Sequence, residues 1–401
     1  MIVTILPSIA HGIVTAPPCK SVTHRSLICG ALSPKSTIHN ISYSQDVEAT
    51  LRCLEAMGAV VSRDVNSVTI GGLNPFSIAP HTVLDCGESG TTLRFLLPLC
   101  LLSSVPITLT GSQKLFERPL DVYETLCRER NISFVRGTDS VTVCGPLYAD
   151  HFTVRGDVSS QFISGLMLAL PLLSDSSTID ISEPFESKSY VALTREVQHA
   201  FGVTIDDIRR CIRIRGNGQY CSTVYTVEGD YSNAAPLEAF NLIGGDVKVI
   251  GLSEDSSQGD RVYRSFFDQL TSDELVADLS DCPDLGPILF SLAPLFGGAT
   301  FNDISRLRLK ESDRVAAMLQ ELAKFGVTAV IGENSVTIGT ASMHAPKERL
   351  SGHNDHRIVM ALSVLCSKFG GTIEGADAVN KSYPDFFNVI QSLGVIVHSE
   401  E

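Results

Sequence analysis

The sequence predicts an α/β (α+β) protein with two similar lobes, each built from three βαβαββ repeats. One observation is length, because 401 residues exceed what a single hydrophobic core usually serves, and two domains of about 200 residues are expected. The second is internal repetition: a short helix ending near a glycine, followed by two β-rich runs, recurs along the chain. Four copies occupy 51–71, 122–145, 193–216 and 315–339, and two partial copies occupy 266–276 and 386–397.

A strand and a longer apolar helix complete each repeat. The apolar stretches 91–102, 160–173, 283–296 and 356–368 predict these helices. The short sheet of one repeat needs neighbours to bury its faces, which favours three repeats packed in one lobe. The segment 227–232 separates the first three repeats from the last three. We therefore predict one lobe over residues 18–228 and another over 1–17 plus 229–401, which places the amino-terminal strand at 3–6 in the second lobe.

Composition and charge restrict the function classes. With 44% hydrophobic and 19% charged residues, the chain is typical of a well-buried globular protein. A formal net charge of −14 argues against nucleic acid and anionic membranes as partners. The eleven cysteines contain no C-x-x-C pair, and no second histidine stands at metal-ligand spacing from His356, so we predict reduced thiols and no metal site. No signal peptide or membrane span is recognisable, and we predict a cytoplasmic protein.

Basic side chains gather where predicted strands meet predicted helices. Eight of the 31 Lys and Arg residues share this placement: Lys20, Arg25, Arg94, Arg118, Lys310, Arg314, Arg357 and Lys381. Helix amino termini attract anions through their backbone N–H groups and dipole. Each junction alone could equally be an ordinary capped or solvated helix start. Their shared placement favours a site for ligands that carry several negative charges.

Two predicted helix starts carry candidate acid–base groups. Ser312 is the predicted N-cap of a helix whose buried stripe begins at Val315, which puts Lys310 and Glu311 at its amino terminus. Ser21 is the predicted cap of the helix after Pro18. Asp284 enters a very apolar helix, where a carboxylate is either a structural cap or a base that stays ionised at neutral pH.

Eight ordered motifs resemble those of the 5-enolpyruvylshikimate-3-phosphate (EPSP) synthase family over essentially the whole chain. They are K-S-x-x-x-R at 20–25, S-G-T-T-x-R at 89–94, E-R-P at 117–119, G-D-x-S-S-Q at 156–161, E-G-D at 228–230, K-E-S-D-R at 310–314, N-D-H-R at 354–357 and K-S-Y-P-D-F at 381–386. The resemblance implies the enolpyruvyl transferase fold, with the active site in the cleft between the lobes. It implies transfer of the enolpyruvyl group of phosphoenolpyruvate to the 5-hydroxyl of shikimate 3-phosphate, in the shikimate pathway to chorismate and aromatic amino acids. It further implies no cofactor, and we expect a monomer.

The same resemblance implies roles for individual residues. Shikimate 3-phosphate would be held by Lys20, Ser21, Arg25, Ser159, Ser160, Gln161, Ser187, Tyr190, Asp284 and Lys310. Phosphoenolpyruvate would be held by Lys20, Gly90, Arg118, Gln161, Arg314, Arg357 and Lys381. The catalytic groups would be Asp284, which takes the hydroxyl proton, and Glu311 with Lys381, which protonate the methylene carbon. Gly90 also suggests sensitivity to glyphosate, the family's competitive inhibitor, because a side chain there would enter the phosphoenolpyruvate pocket.

Two other functions compete with this interpretation. The sister enolpyruvyl transferase acting on UDP-N-acetylglucosamine carries a reactive cysteine in a loop that matches roughly residues 111–118, and this stretch contains none. A non-catalytic repeat protein that binds anionic metabolites would have no need for both Asp284 and Glu311 in a phosphate-rich cleft.

Overall fold

The computed structural model describes residues 1–208 and 210–400, which form the following helices and strands. The α-helices are α1 (Lys20–Leu32), α2 (Gln45–Ala56), α3 (Gly90–Cys100), α4 (Gln113–Glu117), α5 (Asp121–Glu129), α6 (Ser160–Ala169), α7 (Lys188–Ala200), α8 (Tyr231–Leu242), α9 (Tyr263–Ser272), α10 (Gly286–Leu292), α11 (Arg314–Lys324), α12 (His356–Phe369) and α13 (Phe386–Ser392). The strands are β1 (Ile2–Leu6), β2 (His11–Thr15), β3 (Ser36–His39), β4 (Val60–Arg63), β5 (Ser67–Gly71), β6 (Val83–Asp85), β7 (Ile107–Thr110), β8 (Ser133–Arg136), β9 (Ser140–Cys144), β10 (His151–Arg155), β11 (Ser177–Ser182), β12 (Ile205–Ile208), β13 (Cys211–Ile214), β14 (Val224–Thr226), β15 (Asp246–Ile250), β16 (Leu275–Asp278), β17 (Ala299–Asn302), β18 (Ala329–Ile331), β19 (Ser335–Ile338), β20 (Leu350–Ser351), β21 (Gly371–Glu374) and β22 (Ile396–Glu400).

The chain divides into two compact units. The continuous unit is Pro18–Glu228, and the split unit is Met1–Pro17 with Gly229–Glu401. Each has its own hydrophobic core of buried aliphatic and aromatic residues.

The continuous unit contains three four-stranded sheets with a common plan. Their strand orders are β14-β3-β5-β4, β6-β7-β9-β8 and β10-β11-β13-β12. In each, the first pair is parallel and the next two pairs are antiparallel. A parallel pair needs a crossover, and a helix supplies it, as α3 does between β6 and β7. This recurring order confirms the predicted βαβαββ repeat.

The split unit repeats the plan in two sheets, and the first, β16-β17-β19-β18, takes its strands from one stretch of the chain. A second sheet, β20-β21-β1-β22, takes its third strand from the amino terminus, so that Ile2–Leu6 pairs antiparallel with both β21 and β22. The remaining sheet departs from the repeat, because within the described residues it consists of the parallel pair β15-β2 alone.

The long apolar helices are buried and carry polar residues at their amino termini. In α12, every residue from His356 to Ser367 is buried. Such a helix must pack on all sides, so its polar residues collect at its first turn. The repeat plan therefore brings several polar helix starts into each unit.

Two predicted caps are wrong. Helix α1 begins at Lys20 with Cys19 in the N-cap position, so Ser21 lies inside its first turn. Helix α11 begins at Arg314, and the side chain of Asp313 caps it by accepting a hydrogen bond from the backbone N–H of Ala316. Ser312 instead donates from its hydroxyl to Asp355 at 3.0 Å. A carboxylate and a hydroxyl have similar capping preferences, and here a long-range partner decides between them.

Candidate active site

A single buried guanidinium organises the polar groups of the split unit. The side chain of Arg314 is 1% exposed and donates to three carboxylates. Nη1 bonds Asp284 at 2.7 Å, Nη2 bonds Glu311 at 2.9 Å and Nε bonds Asp355 at 2.8 Å. Burial alone would lower the pKa of Arg314, but Asp355 and Asp284 raise it well above its ordinary value. The side chain is therefore a fixed cation that joins Asp284 and Glu311.

Asp284 lies among three cations. Besides Arg314, Lys310 approaches its carboxylate at 3.1 Å and Arg357 at 3.5 Å. Burial opposes ionisation, but Lys310, Arg314 and Arg357 together hold the pKa of Asp284 well below its ordinary value. Burial in turn lowers the pKa of Lys310. Asp284 is therefore an ionised carboxylate whose oxygens are already engaged by cations.

Arg357 and Lys381 are placed by neighbouring polar groups. The guanidinium of Arg357 donates to Asn233 at 2.9 Å and to Ser232 at 2.8 Å, and both acceptors lie in the first turn of α8. The ammonium of Lys381 donates to the backbone carbonyl of Asn354 at 2.6 Å. Both cations are buried. In the split unit, each predicted cation thus bonds a carboxylate or a carbonyl oxygen. The predicted residues of this unit are Asp284, Lys310, Glu311, Arg314, Arg357 and Lys381.

A second carboxyl group lies near Asp284. Asp260 is 4% exposed and belongs to a short 3₁₀ segment, Gly259–Val262. Burial and the charge of Asp284 raise the pKa of Asp260 to about 7, although Arg357 lowers it. The two neighbouring carboxyl groups therefore have pKa values pushed in opposite directions, a pattern that is common where protons are exchanged.

In the continuous unit, Arg25 joins helices α1, α6 and α7. Its guanidinium is buried and donates to the carbonyls of Ser21 at 2.7 Å and Tyr190 at 3.0 Å, and to the hydroxyl of Thr194 at 2.7 Å. Burial lowers the pKa of Arg25 to about 10, so it remains a cation at neutral pH. The structure therefore brings together the predicted residues Ser21, Arg25 and Tyr190.

A second group surrounds the first residue of α3, Gly90. A Cβ added there would lie 2.7 Å from Nη1 of Arg118, so the guanidinium packs directly against this glycine. Gln161 donates to the hydroxyl of Thr91 at 2.9 Å and accepts from Arg94 at 2.8 Å. The predicted residues Gly90, Arg118 and Gln161 thus share one locality.

The remaining predicted residues lie at helix starts in the same unit. Lys20 opens α1 and donates to Asp46 at 2.8 Å. Ser159 caps α6 by accepting from the backbone N–H of Gln161, and Ser160 is the first residue of that helix. Ser187 is fully buried at the start of α7, with a left-handed φ of +53°.

Two carboxylates that hold the cations were not among the predicted site residues, Asp355 and Asp46. Asp355 is fully buried, accepts from Arg314 and Ser312, and caps α12 through the backbone N–H of Arg357. Asp46 pairs with Lys20. Their signal was weak, since Asp355 lies within a quoted motif but its partner is 41 residues away. Within the described residues, no group of three or more His, Cys, Asp or Glu is arranged to hold a metal ion. Among the helices of the same ranges, none has the length and hydropathy needed to cross a membrane.

Comparison with known proteins identifies the family. The family model described as EPSP synthase (3-phosphoshikimate 1-carboxyvinyltransferase) matches residues 7–273 and 270–390. The chain belongs to the EPSP synthase family. The 3-phosphoshikimate 1-carboxyvinyltransferase of Clostridium kluyveri is 40% identical in an alignment 420 residues long. The alignment covers 98% of this chain and 97% of that protein. The corresponding protein of Clostridium acetobutylicum is 37% identical, with 99% and 98% covered.

Solved structures agree with the EPSP synthase fold. An EPSP synthase from Acinetobacter baumannii superimposes with a TM-score of 0.83 at 22% sequence identity, and each chain is covered completely. The predicted family, fold class and transferase activity are confirmed, and the two competing functions are not favoured.

Proposed function

We propose that this EPSP synthase family member transfers the enolpyruvyl group through an acid–base pair, Asp284 and Glu311, that Arg314 holds together. The observation that carries the proposal is the bridge itself, since one buried guanidinium donates to both carboxylates at 2.7 and 2.9 Å. A cation bonded to both groups fixes their separation and orientation. Fixed geometry of this kind lowers the entropic cost of bringing reacting groups together.

Asp284 acts as the general base on the 5-hydroxyl of shikimate 3-phosphate. Without substrates, the carboxylate of Asp284 is a weak base, because the neighbouring cations Lys310, Arg314 and Arg357 lower its pKa. Anionic substrates compete for the same cations. As the phosphate and carboxylate groups of the substrates take over these contacts, the pKa of Asp284 rises and the carboxylate becomes able to accept a proton. The base is thereby activated when the substrates are present.

Glu311 in its protonated form, assisted by the ammonium of Lys381, supplies the proton to the methylene carbon of phosphoenolpyruvate. Protonation of that carbon makes the adjacent carbon electrophilic, and the 5-oxygen bonds to it as its own proton passes to Asp284. The bond to the phosphate oxygen then breaks, and the departing phosphate takes up the proton held by Asp284. A methyl proton returns to Glu311, which restores the double bond. The cations stabilise the charge that develops on the departing phosphate.

The substrate-binding roles follow the two localities of the continuous unit and the cations of the split unit. Shikimate 3-phosphate is held by Lys20, Ser21, Arg25, Ser159, Ser160, Gln161, Ser187 and Tyr190, with Asp284 and Lys310. Phosphoenolpyruvate is held by Lys20, Gly90, Arg118, Gln161, Arg314, Arg357 and Lys381. The packing of Arg118 against Gly90 and the bonds of Gln161 to Thr91 and Arg94 support the second set.

Hydrogen exchange at the methylene carbon tests the division of labour. In D₂O with both substrates, the parent enzyme should incorporate deuterium into the methylene group of phosphoenolpyruvate and product, which NMR detects. Glu311→Gln should abolish the exchange, and Asp284→Asn should lower the rate of product formation about 10²–10⁴-fold. Exchange at the parental rate in Glu311→Gln would show that another group donates the proton.

We also propose that the protein acts as a monomer in the cytoplasm. All eleven cysteines are free thiols, and eight of them are buried, which suits a reducing compartment. Sedimentation equilibrium tests the first statement, because a single species of 43.2 kDa is expected. A species of twice that mass would contradict it.

A further inference from the structure

The turn that precedes α12 has an unusual backbone. His353 and Asn354 are consecutive non-glycine residues with φ of +48° and +53°. The left-handed region costs an L-residue about 1–2 kcal/mol, although Asn and His tolerate it better than most residues. Two such residues in succession persist only where the surroundings hold them.

The side chain of Glu321 provides that hold. It lies on α11, is fully buried and accepts from His353 Nε2 at 2.9 Å. Its second oxygen accepts from the backbone N–H of Ser351 at 3.0 Å and from Lys324 at 2.8 Å. Burial opposes ionisation, but the bonds from His353, Lys324 and Ser351 lower the pKa of Glu321, so it is a carboxylate at neutral pH. Ser351, just before the turn, and His353, its first residue, are thus tied to one buried anion.

The turn presents two groups to the proposed active site. The carbonyl of Asn354 accepts from Lys381 Nζ at 2.6 Å, and the next residue, Asp355, accepts from Arg314. Arg314 begins α11, and Glu321 lies seven residues later, about two helical turns along nearly the same face. Helix α11 therefore carries Arg314 at its start and Glu321 further along. Glu321 holds the turn at 353–354, and the carbonyl of that turn bonds Lys381.

We propose that His353 and Glu321 are positioning residues for Lys381, and that their hydrogen bond fixes the Asn354 carbonyl on which the ammonium rests. The inference rests on the proposed role of Lys381 in binding phosphoenolpyruvate. The hydrogen bond acts through the backbone of the turn and does not touch either substrate.

Three variants separate this role from a general effect on folding. His353→Asn keeps a residue that tolerates the left-handed region but is too short to reach Glu321, and His353→Gln restores a donor of similar reach. Lys324→Met removes another donor from Glu321 and leaves the turn intact, so it is the matched control. Each is assayed for the KM of phosphoenolpyruvate, for the Kd of shikimate 3-phosphate by calorimetry, and for Tm.

We expect His353→Asn to raise the KM of phosphoenolpyruvate about tenfold, with the Kd of shikimate 3-phosphate changed less than twofold. His353→Gln should recover most of the loss, and Lys324→Met should lower Tm without changing this KM. A KM for His353→Asn within twofold of the parent, or an equal rise in Lys324→Met, would overturn the inference.

A double-mutant cycle with Lys381→Met completes the test. If the turn acts through Lys381, His353→Asn should have no further effect on KM in the Lys381→Met background. An equal effect in both backgrounds would overturn the positioning role. An unchanged KM in Lys381→Met alone would instead refute the proposed role of Lys381, and the inference with it. The two failures are therefore distinguishable.

Discussion

Replacing Gly90 with alanine places one methyl group against the guanidinium of Arg118. The new Cβ would lie 2.7 Å from Nη1 and 2.9 Å from Cζ, whereas ordinary contacts begin near 3.4 Å. The guanidinium must therefore recede by about 0.7 Å, because protein interiors have little spare volume. A hydrogen bond to a charged group contributes about 1.5–3 kcal/mol, and a loss of about 1.4 kcal/mol weakens binding roughly tenfold. We expect the KM of phosphoenolpyruvate to rise about tenfold to thirtyfold.

The assay is steady-state turnover at saturating shikimate 3-phosphate, with and without glyphosate. Because the same guanidinium would bind the inhibitor, its inhibition constant should rise at least as much as the KM. Gly339→Ala is the matched control, since an added Cβ at Gly339 meets no atom within 4 Å. A KM within twofold of the parent in Gly90→Ala, or an equal rise for shikimate 3-phosphate, would refute the steric reasoning.

Three further predictions concern the carboxylates of the split unit. Asp284→Asn should lower turnover about 10²–10⁴-fold, while calorimetry finds both substrates bound as tightly as before or more tightly, because the cations lose a competing anion. Asp355→Ala removes a partner of the buried Arg314 and should lower the free energy of unfolding by about 3–5 kcal/mol in urea. The pKa of Asp260 is raised to about 7 from an ordinary value of 3.8, so folding favours its protonated form, and this stability is lost as pH rises through 7. Asp260→Asn should therefore stabilise the protein more at pH 8 than at pH 5, by at most about 3 kcal/mol, since the pKa of about 7 lies roughly 2 units above pH 5.

Each of these has a result that would contradict it. Turnover of Asp284→Asn within tenfold of the parent would mean that another group takes the proton. If the free energy of unfolding of Asp355→Ala lies within 1 kcal/mol of the parent value, Glu311 and Asp284 are sufficient to stabilise the buried guanidinium of Arg314. If Asp260→Asn stabilises the protein equally at both pH values, the pKa of the Asp260 carboxyl lies outside the neutral range.

The repeat plan could be predicted from the sequence because it depends on patterns among neighbouring residues. Helix periodicity, terminal glycines and paired β-rich runs recur at similar spacing, and each depends on neighbouring residues alone. The strand arrangement of the last sheet could not be predicted in this way. Strand β1 lies between β21 and β22, so its partners are roughly the whole chain length away. The two-stranded sheet β15-β2 likewise depends on long-range pairing.

In the candidate site, too, local features could be predicted and long-range contacts could not. Cations at helix starts carry a local signal, and the structure places the predicted ones in a few localities within each unit. Some of the partners of those cations carry no such signal, as Asp355 and Asp46 show. The incorrect cap at Ser312 has the same origin, since its hydroxyl is directed to Asp355, 43 residues away. The left-handed turn at His353 is held by Glu321, again through a contact that spacing does not reveal.

Phosphate release tests the central claim most directly. The purified protein is incubated with shikimate 3-phosphate and phosphoenolpyruvate together, and with each substrate alone, and inorganic phosphate is measured over time. Enolpyruvyl transfer predicts phosphate release only when both substrates are present, with one phosphate for each 5-enolpyruvylshikimate 3-phosphate formed. Phosphate release from either substrate alone at the same rate, or none from the pair, would contradict it.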